Sequence, residues 1–264
     1  MLNSLFECAS ESISAVVYSL GYHARTTLET WRDRGRIPAE LDIEQIEIVE
    51  MQEPRLLATE TNRSYKAWCW SLEPAIVHRQ LLDAPDGSIL CYTDADVLYF
   101  SDPIPTIHSV MEHADVALSP HYFEKGGEKL SVGIFNFGAA IFRVCDRTKE
   151  IVSEWLEQTL ERCDESVTDQ MYLDRWPEKL GDRLMHLPPT WNVGPWRINA
   201  ASGSPPSIDG YPIVSVHYHE FRRGAGRNPI AINGVDFNRT NYLLSPFVVS
   251  ALYEPYEEVL RPYI

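Results

Sequence analysis

The feature that most constrains the fold is the stretch from Ile89 to Phe100, in which two acids interrupt an apolar run. It reads ILCYTDADVLYF, so Asp94 and Asp96 lie between two segments typical of buried β-strands. Side chains at i and i+2 of an extended chain point to the same face, so both carboxylates can bind one cation. An unpaired charge beside a core is costly. The stretch therefore predicts a site for Mn²⁺ or Mg²⁺, which prefer oxygen ligands; a solvated turn is the alternative.

Strand-like and helix-like segments alternate in the first half of the chain. Apolar periodicity predicts helices at 23–34 and 151–163, and a helix within 64–82 that has Pro74 in its first turn. Apolar runs predict strands at 13–20, 43–51, 88–93, 115–119, 134–144 and 212–219. This order implies an α/β fold with a mostly parallel central sheet flanked by helices. The more irregular, Pro-rich second half is where we expect an acceptor site.

Length and charge narrow the class of protein. The 264 residues, 44% of them hydrophobic, suit a single domain over 1–264. A formal charge of −15 argues against nucleic acid as a partner. A polyanionic ligand still fits if a cation and a few basic residues reverse the local field.

The cysteines and the hydropathy pattern predict a cytoplasmic protein. The five cysteines form no Cys-x-x-Cys pair and read as small buried residues in a reducing compartment. The first residues, MLNSLFECASESIS, carry acids where a secretory signal needs basic residues. No run of roughly 18 apolar residues exists, so we expect no transmembrane segment.

Three further motifs follow the paired acids along the chain. They are the strand FNFGAAIFR at 135–143, the pair Asp169-Gln170 that opens DQMYLDRWP, and the strand end VHYHEF at 216–221. In this order, over about residues 13–220, the four motifs resemble the nucleotide-diphospho-sugar glycosyltransferases of the GT-A fold, particularly the family-eight type and a related bacterial group. Those proteins show Asp-x-Asp, Asn-x-Gly, Asp-Gln-x-x-Leu and His-Phe-His-Gly motifs.

The resemblance implies a division of the domain, an activity and a cofactor. It implies a nucleotide- and metal-binding half at about 1–130 and an acceptor-binding half at about 131–264. The expected reaction moves a sugar from a UDP-sugar, or another nucleotide diphosphate-sugar, to a carbohydrate or other hydroxyl-bearing acceptor, with retention at the anomeric carbon. By the same resemblance, the bound Mn²⁺ or Mg²⁺ is held by Asp94, Asp96 and His217, and Asp94 also reaches the ribose. Asp169 then holds the sugar hydroxyls, and Gln170 faces the reacting carbon.

Several of these residues also have plainer explanations. Asp169 after Thr168 suits a helix N-cap, and Asn136 suits a core amide bonded to the backbone. The resemblance instead makes Asn136 a sugar contact near Gly138, where the backbone can be approached closely. His217 and His219 alternate along a predicted strand and share a face; either could simply cap the strand end, and His219 is the expected bystander.

Position and charge suggest the remaining ligand contacts. The residues just past the first strand occupy the switch region of an open α/β sheet, where nucleotides bind: Ser19, Leu20 and Tyr22. A departing diphosphate needs local cations, for which the sequence offers Lys66, Arg222, Arg223 and Arg227, with Arg223 as the expected contact after the His motif.

The chain departs from the family pattern after the His motif. Glu220 stands where the family usually has Gly, and RRGAGRNP replaces a Lys-Pro-Trp segment. These departures leave open a non-catalytic descendant that binds a nucleotide sugar. A two-metal phosphoesterase using both acids with His217 and His219 is also open, whereas SLGYHARTT lacks the Gly- and Arg-rich loop that a sugar nucleotidyltransferase requires.

Overall fold

The computed structural model describes residues 2–19, 22–35, 42–45, 54–123, 132–221, 231–232, 235–236 and 242–261. The helices are α1 (Leu2–Cys8), α2 (Tyr22–Asp33), α3 (Pro54–Asn62), α4 (Tyr65–Asp83), α5 (Ile104–Met111), α6 (Asp146–Glu161), α7 (Trp176–Leu180), α8 (Pro246–Val248) and α9 (Glu254–Leu260). The strands are β1 (Val16–Ser19), β2 (Asp42–Gln45), β3 (Ile89–Thr93), β4 (Val97–Tyr99), β5 (Val116–Pro120), β6 (Phe135–Arg143), β7 (Leu184–His186), β8 (Ser207–Ile208), β9 (Tyr211–Pro212), β10 (Ser215–His217), β11 (Ala231–Ile232) and β12 (Val235–Asp236). Short 3₁₀ helices cover Asp169–Arg175, Gly181–Arg183 and Ile198–Ala200, and a π-helical turn covers Val249–Tyr253.

A four-stranded sheet with the order β3-β6-β5-β7 forms the centre of the protein. Strand β6 pairs antiparallel with both β3 and β5, and β5 pairs parallel with β7. Three strands therefore run in one direction and β6 alone runs against them. Strands β1 and β2 form a separate parallel pair. The predicted α/β class with a mostly parallel central sheet is confirmed, and the reversed β6 is the feature that strand and helix alternation did not indicate.

The direction of the strands gathers the polar residues at one edge. Because β3, β5 and β7 run the same way, their carboxyl ends meet at that edge, and the reversed β6 begins there. Asp94 directly follows β3, His121 directly follows β5, and Asn136 is the second residue of β6. Ligands of open α/β sheets bind outside the carboxyl ends of the strands. The topology thus places the predicted site residues where a ligand is expected.

A second, two-stranded sheet carries the C-terminal histidine to the same edge. Strands β4 and β10 pair antiparallel with His217 opposite Val97, and the N–H of Tyr218 donates to the carbonyl of Asp96 at 2.9 Å. The strand predicted at 212–219 is shorter than expected, because the chain turns at His219 and Glu220. His219 therefore lies in a turn rather than in the predicted strand, but its ring is 5.4 Å from that of His217 and both residues line the same cavity.

Helix α4 lies along the sheet and α6. Its N-cap, Ser64, accepts the N–H of Ala67 at 3.3 Å. The helix continues through Pro74, so the prediction that this proline lies in the first turn is wrong. An interior proline costs about 3 kcal/mol, which is offset here by a buried face that includes Ala67, Leu72 and Val77 and packs against α6. No helix within the described ranges is both long and apolar enough to cross a lipid bilayer.

The core beneath α6 fixes the 3₁₀ helix that starts at Asp169. Trp155 is fully buried, and its ring lies 4.6 Å from that of Phe137 and 5.9 Å from that of Trp176. Its indole N–H donates to the carbonyl oxygen of Asp169 at 2.9 Å. Aromatic packing and one hydrogen bond therefore set the distance between Asp169 and the central sheet.

We expect Trp155→Phe to lower the free energy of unfolding by about 1 to 3 kcal/mol, because it leaves the buried carbonyl of Asp169 without its donor. Trp191→Phe is the matched control. Trp191 is also buried, but its N–H has no hydrogen-bond partner among the described residues, so its loss removes an unsatisfied polar group. Urea unfolding of both variants measures the difference; an equal or larger loss in Trp191→Phe would contradict the role of the hydrogen bond.

Candidate functional site

Two acids and one histidine converge at the carboxyl edge of the sheet. Asp94 and Asp96 lie in the turn between β3 and β4, so the single extended segment expected for them is wrong. The turn still aims both carboxylates at one point: His217 Nε2 lies 3.2 Å from Asp96 Oδ1 and 3.7 Å from Asp94 Oδ2. One ligand atom from each residue lies within 4.8 Å of the other two, and within the described residues this is the one such group of three or more.

Asn136 holds the histidine from the opposite side. Its Oδ1 atom accepts from the backbone N–H of Gly138 at 3.0 Å and from the side-chain amide of Asn192 at 2.7 Å. The same oxygen lies 3.1 Å from His217 Nδ1. A backbone N–H can only donate, so the oxygen of Asn136 must face this point, and His217 must carry its proton on Nδ1.

The protonated Nδ1 determines what the other ring nitrogen can do. His217 Nε2 faces the carboxylates of Asp94 and Asp96, and it donates to Asp96 when the ring is charged. A cation in place of the Nε2 proton would meet one nitrogen and oxygens from two acids. The hydrogen bond from Nδ1 to Asn136 is the outer contact that orients metal-bound histidines in proteins. The donor set therefore fits a divalent cation that accepts oxygen and nitrogen ligands.

A bulge in β6 creates the close packing around His217. Between the pairs Leu118–Ala140 and Ser119–Asn136 the register shifts, so that residues 137–139 have no ladder partner on β5. The N–H groups of Phe137 and Gly138 are satisfied instead by the side chains of Gln170 at 3.2 Å and Asn136 at 3.0 Å. On the other side of β6, the Gly138 carbonyl accepts from the N–H of Asp94 at 3.0 Å, which continues the β3–β6 pairing by one residue. Bulges next to functional sites re-aim side chains in this way.

Gly138 is required by the approach of the imidazole. A Cβ at this position would lie 2.4 Å from His217 Nδ1 and 2.7 Å from Asn192 Oδ1, shorter than any normal contact. We predicted that Gly138 lets a ligand approach the backbone closely. In the structure the group that approaches it is the imidazole of His217.

Charges within the cluster shift its pKa values in opposite directions. Burial, together with the charge of Asp96, raises the pKa of Asp94 against the opposing effect of His217. Burial also acts to raise the pKa of Asp96, but the hydrogen bond and charge of His217 outweigh it and lower that pKa. Burial acts to lower the pKa of His217, and the two carboxylates reverse this and raise it. Neighbouring carboxylates therefore act to raise the pKa values of Asp94 and His217, whereas His217 lowers the pKa of Asp96.

Asp169 and Gln170 lie beside the cluster but are held differently. Asp169 is the buried first residue of its 3₁₀ helix and follows the N-cap, Thr168, so the N-cap alternative is wrong. Burial raises the pKa of its carboxyl to about 7. The Gln170 amide spans two backbone groups, donating to the Val132 carbonyl at 2.7 Å and accepting from Phe137. These two hydrogen bonds fix the Gln170 side chain before any ligand arrives.

A cavity of about 500 Å³ joins these residues to helix α4. Asp94, Asn136, Gln170 and His217 lie on its wall together with side chains from both predicted halves of the chain. From α4 come residues spaced at i, i+4 and i+7, namely Lys66, Trp70 and Glu73. The Lys66 ammonium lies 4.9 Å above the Trp70 ring, so the predicted lysine does reach the cavity. The sequence analysis did not identify Glu73 as a site residue. Its position seven residues after Lys66, on the same face of a helix, is the pattern that could have indicated it.

Aromatic rings form another wall of the cavity. The centre of the Trp196 ring lies 5.1 Å from that of His121, 5.9 Å from that of His219 and 6.3 Å from that of Tyr242. Its N–H donates to the His121 carbonyl at 2.6 Å. The ring fits because residue 194 is glycine: a Cβ there would lie 2.3 Å from Trp196. Sequence reasoning missed Trp196 and Asn192, although both lie in the irregular segment WNVGPW.

The switch region and the phosphate loop lie largely outside the described residues. This applies to Leu20, Arg222, Arg223 and Arg227, and to the side chains of Ser19 and Tyr22, whose backbones belong to β1 and α2. Their predicted ligand contacts stay predictions. Glu220 is described: its φ of 57° is the left-handed conformation that glycine adopts without strain. A glycine would therefore adopt the backbone conformation at this position more readily than Glu220 does.

The chain has a curated relative and solved structural neighbours. No family model matches it. The uncharacterized protein YfnD of Bacillus subtilis (strain 168) is 24% identical over 198 residues, which cover 67% of this chain and 60% of that protein. The chain therefore spans about 60% of the length of this relative.

Two solved structures have the same overall arrangement. The apo form of mouse xyloside xylosyltransferase 1 superposes with a TM-score of 0.52 at 13% identity, over 83% of this chain and 89% of that one. The apo structure of the bifunctional glycosyltransferase WbbM gives a TM-score of 0.51 at 16% identity, over 96% of this chain and 48% of that one. At these identities the likeness shows the fold, which is the GT-A fold that the sequence motifs predicted.

We expect Gly138→Ala to lower the free energy of unfolding by about 1 to 3 kcal/mol, because the added methyl group overpacks the contact with His217. Displacement of the imidazole should also change its environment. Urea unfolding gives the first quantity, and the NMR shifts of the His217 ring give the second. A variant as stable as the parent, with unchanged ring shifts, would show that the contact is loose.

Proposed function

We propose that the protein is a metal-dependent glycosyltransferase that moves a sugar from a UDP-sugar to a hydroxyl-bearing acceptor. The observation that carries the proposal is the group of Asp94, Asp96 and His217 at the carboxyl edge of a GT-A sheet. Asp94 and His217 also line the cavity that contains buried Asp169. The shared fold alone does not decide an activity; the arrangement of the side chains in this cavity supports transfer.

The proposed cofactor is Mn²⁺ or Mg²⁺ held by Asp94, Asp96 and His217. The fit rests on the orientation of His217, whose Nδ1 proton is fixed by Asn136, and on the ligand atoms within 4.8 Å of one another. The bound ion supplies Lewis-acid stabilisation of the negative charge on the departing diphosphate. A chain with a formal charge of −15 needs such a local positive charge to bind an anionic donor.

The protein's own part is to align the donor and to stabilise charge. In this proposal Asp169 accepts hydrogen bonds from the donor sugar, and the Gln170 carbonyl lies next to the anomeric carbon. An amide does not take a proton at neutral pH, but its oxygen stabilises a carbon that becomes positive as the diphosphate leaves. Because Gln170 is anchored to the backbone at both ends of its amide, it contributes a fixed dipole. This arrangement favours retention of the anomeric configuration.

The aromatic wall supports the proposed acceptor region. Trp196 and Tyr242 present ring faces, and His219, with a pKa lowered by burial and by the charge of His217, supplies an uncharged polar group at neutral pH. Flat apolar faces with a few polar groups suit a carbohydrate or another hydroxyl-bearing acceptor. These residues come mainly from the second half of the chain, where the sequence placed the acceptor site.

The geometry gives less support to a two-metal phosphoesterase. That activity needs a second ion close to the first, whereas the metal-ligand groups found in the described part of the chain comprise one cluster that does not include His219. A protein that binds nucleotide sugars without turning them over retains the same cavity, and the measurement of turnover separates it from a transferase.

Asp96→Ala and His217→Ala should each weaken Mn²⁺-dependent binding of UDP-sugars by more than about 100-fold, because each removes an inner ligand whose loss costs more than that of an outer contact. Calorimetric titration with and without Mn²⁺ measures this. Glu112→Ala, an exposed acid on the same protein, is the control and should bind normally. Unchanged affinity in both test variants would remove the metal assignment.

Gln170→Ala should lower the turnover rate by about 10²- to 10³-fold with little change in donor affinity, whereas Asp169→Ala should reduce both. Proton NMR of the first product reports the anomeric coupling, and we expect the donor configuration to be retained. An inverted product would overturn the proposed role of Gln170. Turnover of simple phosphate esters faster than of every nucleotide sugar would favour the phosphoesterase instead.

A further inference from the structure

An unexpected carboxyl group faces the cavity from helix α4. Glu73 follows Lys66 and Trp70 on the cavity-facing side of the helix. It lies within hydrogen-bonding reach of Asp169, and the charge of Asp94 also acts on it. Pro74, the next residue, is buried, and so are Leu72 and Ala75. The backbone that carries Glu73 is therefore firmly packed.

Glu73 and Asp169 form a pair of carboxyl groups that must share a proton. Two ionised carboxylates cannot hydrogen-bond, so contact between them requires that one carry a proton. Asp169 is 3% exposed, and its Oδ2 atom has no N–H or O–H donor among the described groups apart from such a proton. Burial, and then the charge of Asp169, raises the pKa of Glu73 well above its ordinary value, consistent with a shared proton.

The cavity around this pair is rich in acids. The carboxyl groups on its described wall are those of Glu73, Asp94, Glu165, Asp169 and Glu220, and Lys66 is the one Lys or Arg on that wall. Lys66 belongs to the first turn of α4, seven positions before Glu73, and is exposed. On the described wall, therefore, no Lys or Arg lies next to the acid pair. A negatively charged sugar bound there would have neither an ammonium nor a guanidinium group as its partner.

We propose that Glu73 and Asp169 form a subsite that selects donors with an uncharged, hydroxyl-rich sugar and rejects donors whose sugar carries a carboxylate. The inference rests on the proposed function, because it names the class of sugar that the same cavity accepts. It adds Glu73 as a specificity-determining residue.

The selection follows from the hydrogen-bonding capacity of the pair. One proton lies between the two groups, and the remaining oxygen lone pairs can accept from sugar hydroxyls, each of which offers a donor. A uronate carboxylate has no hydrogen-bond donor and carries a negative charge. At the subsite it would face the acceptor oxygens of Glu73 and Asp169 without a donor for them, and their negative charge without a counter-ion. Both effects weaken the binding of uronate donors more than they strengthen the binding of uncharged donors.

The test compares donors that differ only at the sugar's C6 position. Calorimetric titration in the presence of Mn²⁺ would use UDP-glucose against UDP-glucuronate and UDP-galactose against UDP-galacturonate. In the unmodified protein we expect the uncharged member of at least one pair to bind about tenfold more tightly or better. This measurement needs no variant.

Glu73→Gln then tests the residue itself. The amide keeps the size of the side chain, removes a carboxyl group from the subsite and offers an N–H to a uronate. We expect the preference for the uncharged donor to fall by about tenfold, mainly because affinity for the uronate donor rises. Asp83→Asn, which removes a carboxylate from the exposed end of α4 outside the cavity wall, should leave the preference unchanged. Melting temperatures verify that both variants are folded, and Glu73→Ala replaces Glu73→Gln if the latter unfolds.

The outcomes separate the two proposals. Equal affinity for the uncharged donor and its uronate in both donor pairs would overturn the proposal that Glu73 and Asp169 select the donor sugar. It would not affect the transferase proposal. A preference that Glu73→Gln does not change would overturn the role of Glu73. Failure of all four donors to bind with Mn²⁺ would overturn the proposed function and the inference together.

Discussion

The candidate site depends on one oxygen atom, Oδ1 of Asn136. It accepts from Gly138, from Asn192 and from His217, and so joins the bulge in β6, the irregular WNVG segment and the strand β10. The Gly138 N–H and the Asn192 amide N–H can only donate, so the oxygen of Asn136 must face this point. The imidazole of His217 must then donate to it from Nδ1. Loss of this acceptor would leave buried donors unpaired at a cost of about 1 to 3 kcal/mol each. Fold stability and the orientation of His217 are therefore linked through a single buried amide.

Such an amide is stable in a core strand because the bulge frees donors for it. A regular β6 would pair residues 137–139 with β5. The bulge instead directs the N–H of Phe137 to Gln170 and that of Gly138 to Asn136. The cost of interrupting the ladder is offset by side-chain hydrogen bonds, and the residues that provide them come from the predicted motifs. Asn136 is thus a buried amide bonded to backbone, as one explanation of the sequence expected, and it also lies on the cavity wall. Its predicted contact with a sugar stays a prediction.

The sequence predicts the parts of the site that lie on regular elements. Asp94, Asp96, Asn136 and His217 each stand at the end or start of a strong apolar strand, where the pattern is clear. Contacts that depend on turns could not be predicted from the sequence pattern. The turn after β3 replaces the expected extended segment, and the turn at His219 shortens the last strand. Glu73 was missed because a carboxyl group on an amphipathic helix usually faces solvent, and its meeting with Asp169, 96 positions later, depends on how α4 packs. Pro74 was misplaced for the same reason, since tertiary packing outweighs helix propensity.

The two ends of the cavity have opposite electrostatic requirements. Around Asp94, Asp96 and His217, the acids are arranged to attract a cation, whose charge would then draw the donor's phosphates into a protein that otherwise repels them. Around Glu73 and Asp169 the acids share a proton, so they present hydrogen-bond acceptors with less negative charge than two separate carboxylates would have. The charge of Asp94 reaches both members of that pair. A cation at the first end would lower the cost of ionising the second, so occupancy of the metal site and the protonation of the acid pair are coupled.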